Sequence, residues 1–257
     1  MNKEKLIIYG KHAVFSALNN SNRKIDELMV SEGSSELKEA VKVILSKTRR
    51  QVKLKIVTSR AIENVINNNV KHQGILAKSY KLKLNNYKSI LIKKNKMKDN
   101  LRCGVILDRL NDPNNIGAVY RSAKAFGINF ILNTNKHSAL ENSTILNSAC
   151  GAFDTMQTFT TNNISNAIKS FTTHGWWTVG LDHEANANIE KILGKMRISD
   201  KIIFVLGSEG KGIRRLIKKN CSFIASIPNV PDTHSINVSN AAAIVFYEAF
   251  KLFKDKD

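Results

Sequence analysis

From residue 104 onward, short apolar runs alternate with amphipathic helical patterns, and this alternation limits the fold more than any other feature of the chain. The runs at 105–107, 129–132, 176–181, 201–206 and 223–227 are apolar on both faces, as strands covered from both sides must be. Helical spacing fills the gaps at 116–126, 144–149, 164–171, 213–219 and 236–253. Such a pattern predicts a parallel sheet covered by helices, so the fold class is α/β. Ligands of these sheets bind beyond the carboxyl ends of the strands. That rule selects three loops, 108–117, 207–212 and 228–235.

The first part of the chain repeats the alternation on a smaller scale. Strands are expected at 6–9, 27–30, 53–57 and 74–77, with helices at 11–18 and 37–45 and a third that runs from an N-cap at Ser59 to Ile66. Residues 1–80 thus read as a small α/β domain. Residues 81–100 hold seven lysines and few β-branched side chains, the composition of a solvated connector. Residues 101–257 form the second domain. A chain of 257 residues suits this division, because one compact domain usually holds about 100–150.

The net charge is +19, with 40 Lys and Arg against 21 Asp and Glu. Neutralising phosphates releases their counterions, so such an excess implies a polyanionic partner, with nucleic acid the default. Of this charge, +14 falls in residues 1–100 and +5 in residues 101–257. A lysine-rich surface that serves only solubility would not require that asymmetry. No apolar run approaches the roughly 18 residues of a membrane span, and the N-terminus, with Glu4 and no long apolar core, does not read as a presequence. A cytoplasmic protein without membrane partners is expected. Cys103, Cys150 and Cys221 contain no C-x-x-C, which supports neither a disulfide framework nor a zinc ribbon. Cys150, among small residues, is expected to be a buried thiol. His137, His174, His183 and His234 have no metal-like spacing, so no metal site is expected.

The loops carry the chemistry. In the first, Asn114 or Asn115 can cap the following helix, whose free N–H groups form an anion site, and Arg121 lies within two turns of it. The second, Gly207-Ser-Glu-Gly-Lys-Gly212, follows a strand and precedes a helix as phosphate loops do. Its order fits neither the Walker A loop nor the dinucleotide fingerprint, and a glutamate inside it is unfavourable beside bare phosphates. ATP hydrolysis and NAD binding are therefore disfavoured. The third begins at Ile227-Pro-Asn229 and continues into Ser235-Ile-Asn-Val-Ser239, where Ser235 and Asn237 place polar groups at the start of an amphipathic helix.

Taken together and in order, these segments resemble the SpoU/TrmH family of SPOUT methyltransferases over residues 101–253. Asn115, Gly117 and Arg121 match N-x-G-x-x-x-R; the strand and Gly207–Gly212 match G-S-E-G-x-G; Ile227-Pro and Ser235-Ile-Asn-Val-Ser239 match the third motif. The resemblance implies a parallel sheet with a deep C-terminal trefoil knot, and S-adenosylmethionine as methyl donor, bound at Gly207, Ile227 and Ile236. It also implies a homodimer with shared active sites and methyl transfer to a ribose 2′-hydroxyl of RNA. Arg121 is the family's catalytic arginine by position, and Asn115, Glu209, Ser235 and Asn237 would position it and the ribose. Guanidinium is effectively always protonated, so Arg121 is better suited to clamp phosphate and stabilise a developing alkoxide than to act as a base. The segments 8–18 and 71–75 are similar to the substrate-binding domain, related to ribosomal protein L30e, of the bacterial 23S rRNA guanosine-2′-O-methyltransferases; His12 and His72 are its candidate RNA-facing residues. Guanosine in 23S rRNA is the leading target. A tRNA ribose, or a non-catalytic RNA-binding role on the same scaffold, are the alternatives. Asn229, Pro231 and Ile236 depart from the family pattern, and a proline there would stiffen a cofactor loop.

Overall fold

The computed structural model describes residues 4–66, 70–92, 101–134, 141–230 and 235–254. Pro231, His137, His234 and the lysine run at 93–98 lie outside the described residues. Two compact units emerge, and they do not follow chain order: Met1–Lys83 groups with Glu141–Thr155, and Leu84–Leu140 with Met156–Asp257.

The first unit contains β1 (Lys5–Tyr9), α1 (Lys11–Asn19), β2 (Ile25–Ser31), α2 (Ser35–Thr48), β3 (Lys53–Val57), α3 (Ser59–Ile66) and β4 (Ile75–Tyr80). Its sheet has the order β1-β4-β2-β3, with β4 antiparallel to both neighbours and β3 parallel to β2. Ile8, Val14, Leu18, Leu28, Val30 and Ile75 are fully buried, which accounts for the apolar runs that mark these elements in the sequence. Helix α3 begins differently from expectation. Thr58 accepts the Ala61 N–H at 3.2 Å, whereas Ser59 is already helical and its hydroxyl bonds Ser31 Oγ at 3.0 Å. Either hydroxyl satisfies the sequence pattern; packing against β2 decides which one caps.

Two short helices complete this unit, α6 (Ser143–Ser148) and α7 (Ala152–Thr155) in chain order. They are tied to it by a buried charge cluster. Arg23, fully buried, donates from Nε to Asp154 at 2.8 Å and from Nη1 to the Tyr80 carbonyl at 3.0 Å and to Glu141. Glu141 in turn accepts the Leu82 N–H at 2.9 Å. Cys150, expected to be buried, is exposed in the turn between these helices, with φ +48°. The crowding that the small residues signal belongs to Gly151, where a Cβ would lie 2.1 Å from Ser16 Oγ.

The second unit contains β5 (Asn85–Asn86), α4 (Lys88–Leu91), β6 (Cys103–Leu107), α5 (Pro113–Ala125), β7 (Phe130–Thr134), β8 (Gln157–Thr161), α8 (Ile164–Thr173) and β9 (Trp176–Leu181). It continues with α9 (Ile189–Leu193), β10 (Lys201–Leu206), α10 (Arg215–Asn220), β11 (Phe223–Ala225) and α11 (Val238–Lys254). Seven parallel strands run in the order β11-β9-β10-β6-β7-β8-β5. The parallel α/β class expected from the alternation is therefore the one found. Strands β5 and β8 lack the apolar signature because they close one edge of the sheet, where Thr and Asn suffice. One glycine is demanded by packing: a Cβ on Gly104 would sit 2.3 Å from the Phe130 ring, which stacks on Phe171 with centroids 5.8 Å apart. Helix α11 packs along α5 and against β10, with Phe246 and Phe204 ring centroids 6.2 Å apart.

Two outcomes follow from this packing. Replacing Arg23 by Met strands two buried carboxylates, and removing one partner of a buried ion pair typically costs about 3–5 kcal/mol; urea unfolding should show a loss of that size. Thiol titration of the native protein at pH 8 should label Cys150 first. Burial raises the Cys103 and Cys221 thiols, Cys221 to about 12, so both should react only on unfolding.

Candidate active site

Each of the three selected loops leaves the carboxyl end of a parallel strand, β6, β10 or β11. Because β10 lies beside β6, and β9 separates β10 from β11, loops far apart in sequence open on one edge of the sheet.

Helix α5 is capped by Asp112, which accepts the Asn114 N–H at 3.0 Å, with Pro113 in the first turn. Neither Asn114 nor Asn115 has the capping role expected of one of them. Asn115 is thereby free for another bond, and its Nδ2 donates to Glu209 Oε1 at 2.5 Å. This bond joins the first motif to the second across 94 residues of chain.

The glycine loop closes on itself. Ser208 and Gly212 exchange backbone bonds, N–H to carbonyl at 3.2 Å and 2.9 Å, while Gly210 and Gly212 hold positive φ. At Gly207 a Cβ would stand 2.1 Å from the Gly212 carbonyl carbon and 2.3 Å from the Ile213 nitrogen, so only glycine lets the strand end and the loop exit touch. The exit is anchored by Asp108, buried at the end of β6. Arg214 Nε approaches its two oxygens at 3.0 and 3.1 Å, and Nη2 donates to Oδ1 at 2.6 Å. In the third segment, Asn237 Oδ1 accepts the Ser239 N–H at 2.9 Å and hydroxyl at 2.7 Å, which fixes the start of α11.

These pieces enclose a cavity of about 510 Å³ whose lining includes Gly207, Glu209, Ile227, Ser235, Ile236 and Asn237. Six of the eight residues expected at the site thus share one wall system. Asn115 reaches it through Glu209, and Arg121 does not line it. Arg121 is exposed on α5, and its side chain makes no hydrogen bond or ion pair among the described residues. Asn229 lines the cavity. His72, a candidate for the RNA face, accepts the Gly74 N–H at 3.1 Å through Nδ1, and His12 is exposed at the start of α1.

Sequence reasoning missed Asp182, Glu184 and Lys218, which also line the cavity. Asp182 follows β9, is nearly buried, pairs with Lys218 of α10 and accepts the Glu184 N–H at 3.1 Å. An acid directly after an apolar strand was the available signal; that β9 adjoins β10 was not visible.

A model of the SpoU rRNA Methylase family matches residues 102–247, over half of the chain and spanning all three motifs. The chain belongs to the SpoU rRNA methylase family. A second model, RNA 2′-O ribose methyltransferase substrate binding, matches residues 7–84. The 23S rRNA (guanosine-2′-O-)-methyltransferase RlmB of Coxiella burnetii is 34% identical over 241 residues, covering 94% of this chain and 93% of the relative. RlmB of Xylella fastidiosa is 28% identical, with 98% of each chain covered. The crystal structure of the SpoU methyltransferase AviRb of Streptomyces viridochromogenes with AdoMet is alike in fold, with a TM-score of 0.75 at 17% identity, over 96% of this chain and 90% of that one.

In this SpoU chain the atoms that crowd Gly207 are backbone and cannot swing aside. Gly207→Ala should therefore cost roughly 1–3 kcal/mol of stability, as overpacked sites do. Urea unfolding checks this; wild-type stability would contradict the backbone contact between the end of β10 and the loop exit.

Proposed function

We propose that this protein transfers the methyl group of S-adenosylmethionine to the ribose 2′-hydroxyl of a guanosine in 23S rRNA. The observation that carries the reading is the Asn115–Glu209 bond at the cavity that the second and third motifs build. Membership of the SpoU family and near full-length similarity to two enzymes named for this reaction support it.

The cavity suits the donor by size and by charge. Its volume of about 510 Å³ falls in the range of small-molecule sites. Asp182, Glu184 and Glu209 outnumber Lys211 and Lys218 on its lining in a chain of net charge +19, a balance that favours a ligand with a positive sulfur and an ammonium group. Gly207 holds the loop exit against the strand end, and Ile227 and Ile236 supply apolar surface. When bound, the donor supplies a methyl group on a cationic sulfur, open to attack by an oxygen nucleophile.

A ribose hydroxyl is a weak nucleophile, so the protein must align it and ease loss of its proton. Arg121 holds the neighbouring phosphate and stabilises the developing alkoxide, while Asn115, Glu209, Ser235 and Asn237 fix its surroundings. A homodimer gives exposed Arg121 a partner site to serve, and Ile244 and Tyr247, exposed on α11, supply apolar surface of the kind a subunit contact covers. The first unit, matched by the substrate-binding model, holds the RNA, and the C-terminal segment threads the family's knot. The reading places the reaction in the cytoplasm, where rRNA is assembled into ribosomes.

Arg121→Ala should lower the rate of methyl transfer at least about 100-fold, as loss of a charge-stabilising donor does, with RNA and S-adenosylmethionine affinities retained. Mass mapping of rRNA and tRNA from a deletion strain, with and without the restored gene, decides the target: a mark missing from tRNA alone would replace the rRNA assignment.

A further inference from the structure

We propose that a second cavity, at the carboxyl ends of β6, β7 and β8, seats a backbone phosphate of the RNA through Arg109. The inference rests on the reading of this protein as an RNA methyltransferase and adds a contact outside the reaction cavity.

The second cavity has a volume of about 320 Å³ and shares no lining residue with the first. Arg109, Arg214, Thr134, Asn162 and Asn163 line it, and none of its lining residues is acidic. Two guanidinium groups among hydroxyl and amide side chains make an environment for an oxyanion. Asp108, next in the chain, is buried and paired with Arg214, so it offsets that guanidinium and leaves Arg109 as the unpaired cation of the cavity lining. That engagement uses Nε and Nη2 of Arg214 and leaves Nη1 without a bond among the described residues.

Arg109 has no hydrogen bond or ion pair among the described residues, and it is exposed. Its backbone is left-handed, with φ +61°. A side chain is disfavoured in that conformation, and local stability alone would place glycine there. An unpaired cation held at a strained position beside a polar cavity is what a ligand contact requires and what folding does not. The location fits a strand of RNA that reaches the reaction cavity. Arg214 follows Gly212 by two residues, so the seat flanks the same loop that carries Glu209.

The left-handed backbone permits a test that separates binding from folding. Arg109→Gly removes the cation and relieves the backbone, and Arg109→Lys keeps the charge. With full-length protein and an rRNA fragment, fluorescence anisotropy across a salt series should show Arg109→Gly binding about five- to tenfold more weakly, with a log–log salt slope reduced by about 0.7–0.9. Its melting temperature should be equal or higher, its S-adenosylmethionine affinity unchanged, and Arg109→Lys should recover most of the binding. Wild-type RNA affinity and salt slope in Arg109→Gly, beside an active wild-type enzyme, would overturn the proposal. So would loss of S-adenosylmethionine affinity alone, which would assign the arginine to the donor's carboxylate. A wild-type protein that bound no RNA would remove the parent reading and this one together.

Discussion

All seven strands of the larger sheet point the same way, and the rest of the molecule depends on that ladder. A parallel pair cannot be joined by a tight turn, so each connection crosses back over a face and every strand delivers its carboxyl end to one edge. The sheet order β11-β9-β10-β6 then sets side by side four strand ends that are scattered along the sequence. Asp108, Asp182, Gly207 and Ile227 all belong to this edge. Side chains from these ends meet because the backbone ladder has already aligned them.

Close backbone contact refines what the ladder begins. Gly207 lets the end of β10 touch the exit of its own loop, and the Asp108–Arg214 pair fixes that exit on β6. The loop is consequently held at both ends, and Glu209 is presented from a braced turn to Asn115. Charge runs in opposition to the whole chain here. Three carboxylates and two lysines line the principal cavity of a protein of net +19, so the excess of cations lies on the rest of the surface. That contrast suits an enzyme with a cationic donor and a polyanionic acceptor, each drawn to a different part of the surface.

The smaller unit depends on a different constraint. Arg23, Glu141 and Asp154 are buried together, and such a cluster tolerates no missing member. It assigns Glu141–Thr155 to the N-terminal unit although the chain leaves that unit at Lys83 and returns only at Glu141. A buried ionic contact of this kind has no periodicity, so nothing in the local pattern around Arg23 distinguishes it from a solvated arginine. Thr58 and Asp112 teach the same point at smaller scale: adjacent polar residues fit the cap equally well on paper, and the packed neighbour chooses.

What the sequence determined by itself was local or repetitive. Apolar period fixed the class of sheet and most of its strands, because burial on two faces leaves a mark on every residue of a strand. The three motifs carried the family and six of the residues that line the principal cavity, because each motif is a short run of residue types at fixed spacing. Only the tertiary structure decided which strands adjoin, and with it the place of Asp182, Glu184 and Lys218 in the cavity. It also decided that Cys150 is exposed, that Asn115 bonds Glu209 rather than capping α5, and that Arg109 stands unpaired on a left-handed backbone. These depend on contacts between distant segments, and the energy of such contacts is set by neighbours that no local window contains.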